Sequence, residues 1–229
     1  MTHEDKTYIA NYLRSIDIRT MEFFEEMNDH IVTSYQDRVN KHQTVKDHLR
    51  DVVQPAFGGV KGIQRVMKAQ QKLRQAMITK RAWHLFKSYL LRWPTVLITL
   101  LTTLIIYQLN SVFNPKYVFI GIMGASVFIP ILIALIGQGK FYFSCKRQGK
   151  GYSSSDLNIR LMLFASLGTS LTNISLNLIG RFIFGIERNI IELLASYPLV
   201  QISMCLLFSL YALVTIQLLK EKFILKLSL

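Results

Sequence analysis

Four stretches of about twenty residues, almost free of charge, occupy the second half of this chain. They run over about 93–113, 117–137, 161–180 and 195–219. A helix rises 1.5 Å per residue, so each stretch is long enough to cross a hydrocarbon core of about 30 Å. A core helix of a soluble protein keeps a polar face toward water, and these stretches do not. Pro130 and Pro198 lie within the second and fourth, where spanning helices tolerate proline. The expected fold class is therefore an all-α membrane protein. Four transmembrane helices are preceded by a small cytoplasmic helical domain and a basic amphipathic connector helix.

Composition agrees. Hydrophobic residues make up 51% of the 229-residue chain and charged residues 18%, with a mean hydropathy of +0.29. Soluble domains carry about 25% charged residues. So apolar a chain does not stay disordered in water, and two cysteines in 229 residues exclude a disulfide-stapled scaffold. Cys145 and Cys205 are expected to remain free thiols. Residues 1–92 are too polar and too long for a signal peptide, so the first apolar stretch is expected to act as an uncleaved anchor.

Lysine and arginine are distributed unevenly. Residues 1–92, the link between the second and third stretches, and the tail together carry 24 of the 27 basic residues. Lys116, Arg181 and Arg188 are the remaining three. Because basic loops stay cytoplasmic, both termini and the central link are expected on the cytoplasmic side of a plasma membrane. The outer loops, about 114–116 and 181–194, are too short to form an external sensor domain. The predicted domains are a cytoplasmic helical module over 1–63, a basic juxtamembrane helix over 64–92, the membrane domain over 93–219 and a cytoplasmic tail over 220–229.

Within the module, Ile9 and Leu13, with Tyr8 and Tyr12 beside them, repeat at helical spacing. So do Met21, Phe24, Met27 and Ile31. A third short helix around Val45–Val53 ends near Pro55, and Gly58–Gly59 marks a turn. The second helix carries Glu22, Glu25, Glu26, Asp29 and His30. Glu26 and His30 share a face, as metal ligands on helices do, but no second Glu-x-x-His pair, HExxH or CxxC accompanies them. His3, His42, His48 and His84 form no ligand spacing. No metal, cofactor or catalytic residue is therefore expected. The five-residue acidic group is the candidate docking surface for a protein partner.

The run FFEEMNDHIVTSYQDRV, followed by VVQPAFGGVKGIQRV, resembles the HAAS domain, a small cytoplasmic helical module of bacterial membrane proteins. The resemblance covers about residues 8–66 and rests on Glu26, Asp29, His30, Phe57 and Gly58. It implies a signalling or regulatory protein of the bacterial inner membrane, working beside a transcription regulator or a transport system.

No acidic residue occurs between Asp51 and Asp156, whereas fourteen basic ones do. Residues 64–92 are predicted as one helix with a loose apolar stripe of Val66, Leu73, Met77, Leu85 and Leu91. Lys68, Lys72, Arg74, Lys80, Arg81, Trp83, Lys87 and Arg92 are its candidate contacts to anionic lipid headgroups of the inner leaflet. Each basic residue near such a surface contributes about 1 kcal/mol. Nucleic acid is not expected as a partner, since no recognition motif accompanies the charge.

The third apolar stretch is the most polar. Ser166, Ser170, Asn173 and Asn177 form a stripe at three- and four-residue steps, continued by Arg181. It is expected to pack against Thr99, Thr102, Thr103 or Gln201 of other helices, or else to line a conduit. Gly121 and Gly124, with Ser126, would allow helices to approach closely in a homo-oligomer. The function expected is non-enzymatic signalling or regulation through a cytoplasmic or membrane partner. The alternative is a self-associating effector that perturbs or conducts across the bilayer, as small membrane proteins of bacterial defence loci do.

Overall fold

The computed structural model describes residues 1–38, 41–174 and 197–225. Its order is α1 (His3–Ser15), α2 (Met21–Gln36), α3 (Val45–His48), a π-helical turn (Leu49–Val53), α4 (Gln54–Phe57), α5 (Val60–Leu91), α6 (Thr95–Val112), α7 (Pro115–Arg147), α8 (Asp156–Asn173) and α9 (Pro198–Leu225). The described residues form no β-strand, only an isolated bridge between Thr20 and Ser154. The chain is all-α. It divides into two compact units, one made of Met1–Ala76 with Gly137–Ile159, the other of Met77–Ile136 with Arg160–Leu229.

Unit 1 forms where the helical periodicities lead. Thr2 and Asp5 cap α1 reciprocally, each side chain bonded to the other's backbone N–H at 3.2 and 2.8 Å. Ile9 and Leu13 then face inward, fully buried, while Tyr8 stays 44% exposed. From α2 come Phe23, Met27, Ile31 and Tyr35, and from the third helical segment Val45, Leu49 and Val53. Gly58 ends that segment at φ +71°, a left-handed conformation that glycine adopts without a Cβ penalty. Ile63 of α5 closes the core, joined by Cys145 and Tyr152. Residues 137–159, expected as a cytoplasmic link, are thus part of the unit rather than a free connection. The second helix runs on to Arg147, ten residues beyond its predicted end, because nothing between Gly137 and Arg147 breaks it and Phe141 and Cys145 have a core to enter.

His48 is buried to 2% exposure, between Ser34 Oγ at 2.9 Å, the Gln43 amide and the Tyr35 ring. Burial, and secondarily the Arg38 guanidinium, hold its imidazole below the ordinary 6.5. As pH falls through about 6.5, the unfolded chain takes up a proton that the folded chain refuses. Stability contributed by the neutral ring is therefore present above that pH and lost below it. The opening free energy of α2 in the intact protein, read from hydrogen exchange relative to the intrinsic amide rate at each pH, should fall from pH 7.5 to 5.5, with a slope of at most about 1.4 kcal/mol per pH unit for one proton. His48→Gln should flatten that slope; an unchanged slope would remove His48 as its cause.

Unit 2 begins where α5 continues past Ala76 and ends at Leu91, just before Trp93–Pro94. Carbonyls of its last turn bond side chains of α6: Ser88 O accepts from Thr95 Oγ1 at 2.6 Å as well as from Arg92 N at 2.9 Å, and Tyr89 O accepts from Thr99 Oγ1 at 2.6 Å. Ile106, Phe119 and Cys205 form a small core among α6, α7 and α9. Gln201 Nε2 donates to Asn110 Oδ1 at 3.0 Å and to Pro115 O at 2.7 Å. Tyr211 Oη donates to Phe164 O and Ala165 O and accepts from Gly168 N, seating a hydroxyl on the backbone of α8. The faces of α6 and α7 turned outward carry Leu100, Leu101, Leu104, Ile105, Phe128 and Leu132, each more than half exposed. An apolar surface of that extent suits hydrocarbon rather than water.

Three helices among the described residues are long and apolar enough to cross a membrane: Thr95–Val112, Pro115–Arg147 and Pro198–Glu221. That corrects the predicted four. The third stretch forms α8, which starts five residues earlier than expected. Asp156, Asn158 and Arg160 open it, and Ser166, Thr169, Ser170, Thr172 and Asn173 lower its apolar content further. Residues 175–196, the rest of that stretch and the outer loop after it, lie outside the described residues.

Candidate functional site

The acidic residues of α2 meet partners within unit 1. Glu22 accepts from the Ser155 hydroxyl, from Asp156 N at 2.8 Å and from Leu157 N at 3.4 Å. A carboxylate from another helix thereby sits at the N-terminus of α8, where unsatisfied N–H groups and the helix dipole favour negative charge. Ser155 caps the same helix, its Oγ accepting from Asn158 N at 3.2 Å. Glu25 accepts from the Tyr152 hydroxyl at 2.6 Å. Burial first, then that carboxylate, push the Tyr152 phenol well above its ordinary range, so it remains a donor. Glu26 accepts from Gln70 Nε2 of α5 at 2.8 Å.

The loop before α8 is held along its whole length. Met21 N donates to Ser154 O at 2.8 Å and Ser153 N to Arg19 O at 3.3 Å. Arg14 Nε donates to Gly151 O at 3.0 Å. Gly151 lies so close to the Phe24 ring that a Cβ would stand 2.3 Å from Cζ, which accounts for glycine there. Tyr152 packs edge-on to Phe24 and stacks with Phe141. Arg74 then closes the cluster from α5, with Nη1 3.5 Å from Asp156 Oδ2. Their side chains are only 13% and 4% exposed.

The proposed acidic docking group therefore splits. Glu22, half-buried, and Glu25 and Glu26, both exposed, bond the loop and α5, whereas Asp29 and His30, also exposed, take no part in that hold. The His30 ring lies edge-on to Phe57 at 5.6 Å, so two of the residues that carry the HAAS resemblance touch. Among the described residues, no three His, Cys, Asp or Glu side chains come together as metal ligands. The arrangement performs mechanical work: it fastens α2 to the first turn of α8.

The eight headgroup candidates also separate. Lys68, Lys72, Lys80, Trp83, Lys87 and Arg92 are exposed, with Lys87 Nζ 5.4 Å above the Trp83 ring. Arg74 is engaged with Asp156 as above. Arg81 pairs in bidentate fashion with Glu221 of α9, both bonds 2.8 Å. Of the predicted apolar stripe only Leu85 is buried, while Leu73, Met77 and Leu91 are 65%, 52% and 82% exposed. The inward positions of α5 are instead Ile63, Ile78, Ala82 and Leu85. A 32-residue helix shared by two units buries whichever side each unit presents, and one periodicity does not describe it.

In the polar stripe of α8, Ser166 Oγ donates to Leu163 O of its own helix, Thr169 to Ser166 O and Thr172 to Gly168 O. Ser170 and Asn173 are exposed. Asn177 and Arg181 lie outside the described residues. The expected partners are used elsewhere: Thr102 and Thr103 bond carbonyls of α6, Thr99 bonds α5, and Gln201 bridges to Asn110 and Pro115. Comparison with protein-family models, curated proteins and solved structures finds no match to this chain.

Sequence reasoning passed over Gln70, Gly151, Tyr152, Ser155 and Asp156. The signal for the last two was present, since Ser-Asp before an apolar helical run is a helix start. No local pattern announces that Glu22, more than 130 residues away, completes the cap.

Proposed function

We propose that this chain is a non-enzymatic signalling or regulatory protein of the bacterial inner membrane, with unit 1 and the N-terminus in the cytoplasm. The observation that carries the reading is the composition of unit 1. Residues 1–76 and 137–159 pack together although α6 and the apolar part of α7 lie between them in sequence. Two crossings bring the chain back to the side it left. Those two segments also contain most of the basic residues, and basic segments are retained in the cytoplasm.

The regulatory step is a change in the hold of α2 on α8. A partner that competes for Glu22, Glu25 or Glu26, or docks beside them on Asp29 and His30, would loosen the first turn of a helix that continues into unit 2. The HAAS-like residues Glu26, Asp29, His30, Phe57 and Gly58 lie on α2 and at the end of α4, which suits an input surface. Hydroxyls of Ser166, Thr169 and Thr172 spent on their own helix support packing, rather than conduction, as the role of the polar stripe.

Trypsin added to spheroplasts should leave Lys68, Lys72 and Lys150 uncut, and trypsin added to inside-out vesicles should cut them. Cleavage in spheroplasts would invert the orientation, and recovery of the intact chain in the detergent-free soluble fraction would end the membrane reading. A partner retained in gentle detergent should be lost on Asp29→Lys.

A further inference from the structure

Unit 2 contains one feature that signalling through α2 and α8 does not use. A groove of about 640 Å³ opens among α5, α8 and α9, with Phe86, Phe164, Leu171, Leu207 and Phe208 along its walls. Its volume lies within the range of small-molecule sites, about 300–1,000 Å³. Its walls are almost entirely hydrocarbon and aromatic. α9 lines it from Met204 to Val214, about 15 Å of helix at 1.5 Å per residue. The groove thus runs along a helix and is lined by hydrocarbon, which suits an alkyl chain better than a polar metabolite.

One end carries charge. Trp83 lines the groove and is 59% exposed. Lys80 and Lys87 stand one turn before and one turn after it on α5, both exposed, with the Lys87 ammonium over the indole. The Arg81–Glu221 pair ties this part of α5 to α9 just where α9 leaves its apolar run, and exposed Lys220 adjoins it. That pair also neutralises Glu221, and no acidic residue occurs anywhere in residues 77–136. The end is therefore cationic and aromatic, as befits the headgroup zone.

Resting on the membrane reading above, we propose that this groove is a binding site for a single anionic phospholipid. One acyl chain lies along Phe86, Phe164, Leu171 and Leu207, and the phosphate stands against Lys80 and Lys87 beside Trp83. The site differs from general attraction of a basic helix to a charged surface, because it requires both an apolar groove and the two exposed lysines that flank Trp83 on α5.

The chain has two tryptophans, so Trp93→Phe leaves Trp83 as its sole reporter. The full-length variant is reconstituted in phosphatidylcholine vesicles containing a small fraction of acyl-brominated phosphatidylglycerol, or the same fraction of acyl-brominated phosphatidylcholine. Trp83 emission should be quenched with a preference for the anionic lipid on the order of tenfold, the effect of one to two such charges. Lys80→Gln with Lys87→Gln should abolish the preference. Leu171→Phe with Leu207→Phe, which fills the slot and leaves the lysines, should lower quenching by the anionic lipid to the level of the neutral one. Equal quenching by both lipids, insensitive to the filling variant, would show exposure to bulk lipid alone and overturn the site while leaving the membrane reading standing. Absence of quenching in vesicles that hold the protein would show the slot closed by the chain's own residues or a second copy, and would also overturn it. Failure to enter vesicles at all would defeat both.

Discussion

Replacing Arg74 with methionine should destabilise unit 1 by about 3 kcal/mol, the lower end of the cost of breaking a buried ion pair by removing one side of it. Arg74 and Asp156 are 13% and 4% exposed, so water cannot take over the charge that remains. The loss should appear as faster hydrogen exchange of α1, α2 and the start of α8 in the full-length protein in detergent. Arg50→Met breaks an exposed pair with Asp51 and should leave exchange unchanged, since solvent already screens that pair. Arg74→Met combined with Asp156→Asn should recover much of the loss, because the remaining group is no longer charged. If Arg74→Met behaved like Arg50→Met, the pair would have no structural weight.

Glu22→Ala should release the loop before α8. Its carboxylate serves the Ser155 hydroxyl and the first amides of that helix. Bonds to a charged acceptor contribute about 1.5–3 kcal/mol each, so a net loss of about 2–3 kcal/mol is expected once Ser155 and water take over part of the duty. Amide exchange at Asp156 and Leu157 should rise, and trypsin should cut after Lys150 faster than in the unaltered protein when both are solubilised in detergent. Glu26→Ala loses only its bond to Gln70 and should cost less than about 1 kcal/mol. Equal effects of the two substitutions would mean that α2 does not clamp α8 through Glu22, and the regulatory step proposed above would lose its physical basis.

The contrast between these two glutamates shows what one-dimensional pattern can and cannot say. Glu22, Glu25, Glu26 and Asp29 look alike in sequence, a run of acids on the outer face of an amphipathic helix. The periodicity of Met21, Phe24, Met27 and Ile31 puts them on the face away from the core. It is silent on whether that outer face meets water or another segment of the same protein. Arg74 and Arg81 pose the same problem among eight similar basic residues on α5, since each finds a carboxylate contributed by a distant helix.

The residues themselves determined that the chain is all-α and carries helices able to cross a membrane. Hydrophobic runs and 3.6-residue periodicity are local quantities, and local quantities decide helix length and composition. The capping of α1 by Thr2, the left-handed turn at Gly58 and the start of α8 at Ser155–Asp156 are local in the same way. Only the tertiary structure decided that residues 137–159 join residues 1–76 in one core, that Glu22 caps α8 and that Arg81 meets Glu221. Each of those depends on where the backbone returns after sixty or more intervening residues, and the free energy of such contacts belongs to the pair, not to either sequence neighbourhood alone.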